Sequence, residues 1–175
     1  MFAELSPLLW IHLLTAGLAI VAGAAISLMR KWTRRHRMIG ITYITAMIVT
    51  IISVIPVRAT VMPFFGSRFG FFHIFVVIGA ISMTFGIDRL LKWRATREPE
   101  MLRAHQIHLA YSYAGLLMAG FSQIASNPGW GLVEIVSMTQ FWTIFAAVNI
   151  AIYAIAMWLI QTRLATGDPM RWRRA

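Results

Sequence analysis

Five histidines, His12, His36, His73, His105 and His108, are the side chains in this 175-residue chain whose type and spacing point to chemistry. The chain has no cysteine, so thiolate metal sites, cysteine nucleophiles and disulfides are excluded. No GxSxG, P-loop or Rossmann glycine pattern occurs, and the six acidic residues are scattered with the serines in no hydrolytic set. What remains is imidazole. A neutral ring nitrogen can ligate haem iron or zinc, or the ring can sit at a membrane interface as an amphipathic side chain. Depth in the membrane decides between these.

The chain is 59% hydrophobic and only 13% charged, with a mean hydropathy of +0.70. A soluble domain rarely carries so little charge. Apolar stretches of membrane-crossing length recur, and the sequence predicts an all-α integral membrane protein with five transmembrane helices at about 8–29, 38–57, 69–91, 108–125 and 139–161. Turns marked by Pro and Gly, such as MPFFGS and SNPGWG, separate several of them. The whole of 1–175 reads as one transmembrane domain. The first seven residues lack the basic n-region of a signal peptide, so the first span is expected to be retained.

The net charge of +10 is distributed by side: of 16 Lys and Arg, all but Arg58 and Arg68 follow spans one, three and five. The positive-inside rule then predicts an outer N-terminus and a cytoplasmic C-terminus. Basic loops of this kind fix topology and favour anionic lipid. A nucleic-acid partner is not indicated.

With that topology each histidine acquires a level. His12 and His73 lie about one turn inside the outer ends of spans one and three, while His36, His105 and His108 open spans two and four on the inner side. Ionisable residues inside a span tend to face the bundle and mark function. Two imidazoles from opposed helices at one level suit the axial positions of a haem. Arg37 and Arg103 inside, and Arg58 and Arg68 outside, are candidate partners for its propionates. Spans one–two and three–four repeat the order His, basic loop, His. That repeat predicts a four-helix bundle core with span five as a peripheral helix.

Four elements, the HLLTAGLAIVAGA stretch that begins at His12, HRxxGxxY (His36, Arg37, Gly40, Tyr43), the histidine of FFHIF (His73) and the run AHQIHLAYSY (His105, Ser112, Tyr113), resemble a bacterial family of small polytopic membrane proteins of unknown function. His108 departs from that family, where the position is more often apolar. The resemblance implies the bacterial inner membrane. The layout is similar to that of two-haem transmembrane cytochromes b. Carried over, it implies an outer haem b between His12 and His73 and an inner one between His36 and His105, with His108 as the alternative. The corresponding function is electron transfer between the two membrane faces, with quinone or a redox partner in a larger membrane complex as donor or acceptor. Tyr43 and Tyr113 are quinone-pocket or packing candidates.

Two other readings stand beside it. His105 and His108, at i and i+3, share a helix face and with His36 form a three-histidine zinc set; outside, His12, His73 and Glu134 or Glu4 form another. Zinc would imply a hydrolase or metal transporter. The third reading is a non-catalytic membrane subunit or assembly factor with structural histidines.

Overall fold

The computed structural model describes residues 6–57, 69–70, 72–127 and 131–166. The helices are α1 (Pro7–Leu28), α2 (Arg34–Val54), α3 (Phe72–Thr96), α4 (Pro99–Ala125), the single turn α5 (Leu132–Ile135) and α6 (Met138–Leu159), which continues as a π-helical segment, Ile160–Ala165. No strand is found among the described residues. Arg58, Arg68 and Glu4, named above as candidate site residues, lie outside them.

Local chemistry sets where each helix starts. Ser6 caps α1 by accepting from Leu9 N–H at 3.3 Å, and Pro7 follows at a position where its missing amide costs nothing. Thr33 caps α2 through His36 N–H at 3.0 Å. That cap places the start of α2 at Arg34, a turn before the expected start at 38, because charged residues are good helix formers when the backbone amides are satisfied. Pro99 opens α4 with Glu100 in the first turn. The helix therefore begins well before the expected start of span four at 108, and His105 and His108 lie inside it rather than at its mouth. Arg97, with φ of 63°, ends α3 and turns the chain in two residues. Its N–H donates to Trp93 O at 2.8 Å, the bond pattern of a left-handed helix cap.

α6 starts with a reciprocal capping box: Ser137 Oγ accepts from Gln140 N–H, and Ser137 N–H donates to Gln140 Oε1 at 3.0 Å. Ser137→Ala is expected to lower stability by about 1 kcal/mol, read as a lower midpoint of thermal unfolding in detergent with unchanged helix content.

Four helical segments, 7–28, 34–54, 73–96 and 138–165, are long and apolar enough to cross a membrane. By length and composition this is a multi-pass membrane protein. The fifth expected span is the difference. α4, at 27 residues, is about 40 Å long but is not among the four. The reason lies in its composition, since His105, Gln106, His108, Tyr111, Ser112 and Tyr113 lower its hydropathy, and its packing accommodates them. α4 contacts α3, α5, α6 and the π-helical segment, and it buries Leu102, Ser112, Ala114, Gly115, Leu116, Ser122 and Ala125. A helix covered by protein can carry hydroxyls and imidazoles that lipid would not tolerate.

The contacts group the chain into two compact units. One is the α1–α2 hairpin, whose core is Ala19, Ala22, Tyr43, Ala46, Met47 and Val54. Small residues on α1 let α2 approach closely there. The other unit is built around α4. Ala125, Phe141 and Phe145 form a buried apolar cluster in it, with Phe75, Phe121 and Trp142 packed against it. At Gly86 a Cβ would lie 2.5 Å from Leu109 Cδ2, so the absence of a side chain there sets the α3–α4 separation.

Candidate functional site

Within the hairpin the two histidines lie at opposite ends. His12, in the second turn of α1, reaches α2 near its C-terminus: Nδ1 lies 3.1 Å from Thr50 O and 3.3 Å from Ser53 Oγ. A carbonyl only accepts, so His12 Nδ1 carries the proton and the ring lone pair is on Nε2. The surroundings are a connected polar set. Ser53 Oγ–H donates to Thr50 O at 3.1 Å, Thr50 Oγ1–H donates to Thr15 Oγ1 at 2.9 Å, and Thr15 Oγ1–H donates to Ile11 O at 2.7 Å. Thr50 and Ser53 are buried. His36 stands in the first turn of α2, with a buried Nδ1 that has no hydrogen-bond partner among the described residues. The fourteen residues from His36 to Thr50 correspond to roughly 20 Å along the helix.

The second unit repeats the separation. His73 is at the start of α3, and His105 on α4 meets α3 thirteen residues further along, at Gly86, again roughly 20 Å away. His105 Nδ1–H donates to Gly86 O at 2.8 Å, which puts its lone pair on Nε2 as in His12. The neighbouring His108 instead lays its ring against Phe85, with centroids 5.6 Å apart. The two candidates for the inner position are thus distinguished: one ring is oriented by a main-chain carbonyl, the other is packed on an aromatic face.

His73 has the opposite protonation pattern. Gly70 N–H donates to His73 Nδ1 at 3.1 Å while His73 N–H donates to Gly70 O at 2.9 Å. The ring thus accepts from a backbone N–H three residues upstream, as the Glu or Gln of a capping box does, while the return bond is a backbone turn to Gly70 O. A neutral His73 then carries its proton on Nε2, which is buried and without a partner among the described residues. In this conformation its lone pair is spent on the cap.

The other candidate residues fall as follows. Tyr43 is fully buried in the hairpin core, and Tyr113 is half-buried on α4. Arg37 is exposed, and Arg103 is paired with Glu100 at 3.2 Å. Glu134 is exposed on α5. Among the described residues no group of three or more His, Asp or Glu converges as a metal site would require. Among the glycines, Gly86 is a close approach to Leu109 and Gly40 to Ile26, whereas Gly17 faces open space.

Thr15, Thr50 and Ser53 beside His12, and Asn149 on α6, are polar residues that sequence reasoning passed over. Thr50 and Ser53, three residues apart in an apolar helix, share a face with each other, and Thr15 lies three residues from His12; that spacing is a signal present in the sequence. On α6, Asn149 is buried and donates through Nδ2 to Phe145 O at 2.9 Å and to Ser122 Oγ on α4 at 3.4 Å. Tyr111 Oη–H donates to Met157 Sδ at 3.1 Å, joining the same two helices nearer the π-helical segment.

Comparison with known protein families, curated proteins and solved structures finds no match to this chain. The functional reading therefore rests on the site itself.

Proposed function

We propose that this is a b-type membrane cytochrome that holds haem at two levels and carries electrons between the two faces of a bacterial inner membrane. The observation that carries the proposal is the shared setting of His12 and His105. Each hands its Nδ1–H to a carbonyl of the neighbouring helix and turns its Nε2 lone pair elsewhere. Carbonyl-oriented imidazole is the usual second-sphere support of a metal-bound histidine, because it fixes the tautomer and raises ligand basicity. His12 is assigned to the outer level and His105, in preference to His108, to the inner one. His36 and His73 are the proposed opposing ligands. His36 brings a buried ring nitrogen without a partner among the described residues to that role, while His73 must first release Gly70 and move its proton.

Haem supplies one-electron chemistry when bound. The protein's part is to hold the rings, exclude water from each level and keep the levels about 20 Å apart. Quinone, or a redox partner in a larger complex, is the proposed donor or acceptor. α4 is proposed as the fifth span, with the N-terminus outside.

One observation favours a second reading. A histidine whose ring accepts from a backbone N–H at the start of its own helix, as His73 does from Gly70, is doing structural work, and a membrane subunit or assembly factor with structural histidines needs no iron. The deciding experiment is an absorption spectrum of the detergent-purified protein, oxidised and then dithionite-reduced, with haem quantified per chain. Sharp reduced α and β bands and about two haems per chain are expected of bis-histidine iron. A colourless, helical protein from haem-sufficient cells would discard the cytochrome and leave the structural subunit.

A further inference from the structure

The two basic turns of the chain are built differently. At the α3–α4 turn four of the five cations have local partners: Asp88 pairs with Lys92 at 2.9 Å and with Arg89 at 3.7 Å, Glu100 pairs with Arg103 at 3.2 Å, and Arg97 stacks 5.0 Å over the Trp93 ring, while Arg94 lies in the last turn of α3, where the helix dipole favours a cation. At the α1–α2 turn Arg30, Arg34, Arg35 and Arg37 are all exposed, and none has an ion pair among the described residues. No local acid is available to them, since residues 6–57 contain neither Asp nor Glu. Three of the four lie in the first turn of α2, where the helix dipole disfavours cations and favours anions. An arrangement of like charges without counter-charge at the positive end of a helix is stable when an external anion completes it.

Apolar surface adjoins this charge. Leu28 is 89% exposed, Met38 58% and Ile41 60%, and Trp32, held at φ 71° in the turn, is 37% exposed. A free phosphate would use the arginines alone and make no use of these side chains. A phospholipid uses both: its phosphate meets the guanidinium groups while its acyl chains run along Leu28, Met38 and Ile41, with Trp32 at the headgroup level where tryptophan is enriched. We infer that the α1–α2 turn is a docking surface for an anionic phospholipid, and that the α3–α4 turn, though as rich in arginine, is not. The inference is independent of haem.

The test is a photocrosslinking map. The unmodified protein is placed in phosphatidylcholine vesicles containing phosphatidylglycerol with a photoreactive group beside its phosphate, and adducts are located by peptide mass spectrometry. Adducts within 28–41 are expected to exceed those within 89–103 several-fold. The triple variant R34Q/R35Q/R37Q is expected to lose adducts there by roughly fivefold per arginine, the loss that about 1 kcal/mol per charge implies; R94Q/R97Q is expected to leave them unchanged. Equal labelling of the two turns, or labelling at 28–41 that survives the triple variant, overturns the inference. Removing cations can disturb insertion, so orientation is checked with one introduced cysteine, which labels cleanly because the chain has none of its own. The map on the unmodified protein decides even if the triple variant fails to insert.

Discussion

His12→Ala is expected to purify with about half the wild-type haem, one set of reduced bands remaining, because it removes the oriented ring at one level and leaves the Gly86–His105 pair in the other unit untouched. The companion variant is Ser53→Ala. Ser53 Oγ shares the His12 Nδ1–H with Thr50 O, and without it the ring is a slightly poorer electron donor. Haem content should then be unchanged while the potential of one haem rises. A lost hydrogen bond of about 1 kcal/mol corresponds to roughly 40 mV for a one-electron couple. Redox titration followed in the α band reads both quantities. A structural His12 gives a different pattern: His12→Ala would lower the unfolding midpoint and leave any haem spectrum intact.

Much of the fold can be read from the chain, and the parts that cannot have definite physical causes. Caps and turns are local, so Ser6–Pro7 and Glu98–Pro99 mark helix starts by residue type alone. The start of α2 escapes hydropathy because its first turn is almost wholly cationic, and only the Thr33 cap reveals it. α4 differs from its expected span, 108–125, for another reason: it starts at Pro99 and is more polar than the four apolar helices. Hydropathy treats every helix as though lipid surrounded it, whereas α4 spends its polar residues on α3 and α6. The levels of the histidines follow from counting residues, and in each unit the two ends come out roughly 20 Å apart. What each ring does cannot be counted. Gly70 and His73 have capping-box spacing, which a reader intent on ligands passes over, and the carbonyls of Thr50 and Gly86 belong to residues whose side chains announce nothing about imidazole. Tertiary approach, set by Ala and Gly on α1 and by Gly86 on α3, brings those carbonyls into reach.

The same distinction makes His105 and His108 separable by experiment. His105→Ala is expected to abolish the second haem, with the complementary half of the absorbance lost to that missing in His12→Ala. His108→Ala is expected to retain both haems, since it removes only a ring packed on Phe85, and to cost stability of about 1 kcal/mol, the range for an aromatic pair. Leu109 and Gly86 make the distinction sharper. Gly86→Ala drives a methyl to within contact of Leu109 and displaces the carbonyl that aims His105, so it should resemble a weakened His105→Ala, with haem lost on dilution instead of absent from the start. If His108→Ala and not His105→Ala removes the haem, then the Gly86 bond is a helix clamp, the ligand is the ring on Phe85, and the inner level lies one helical turn further along α4.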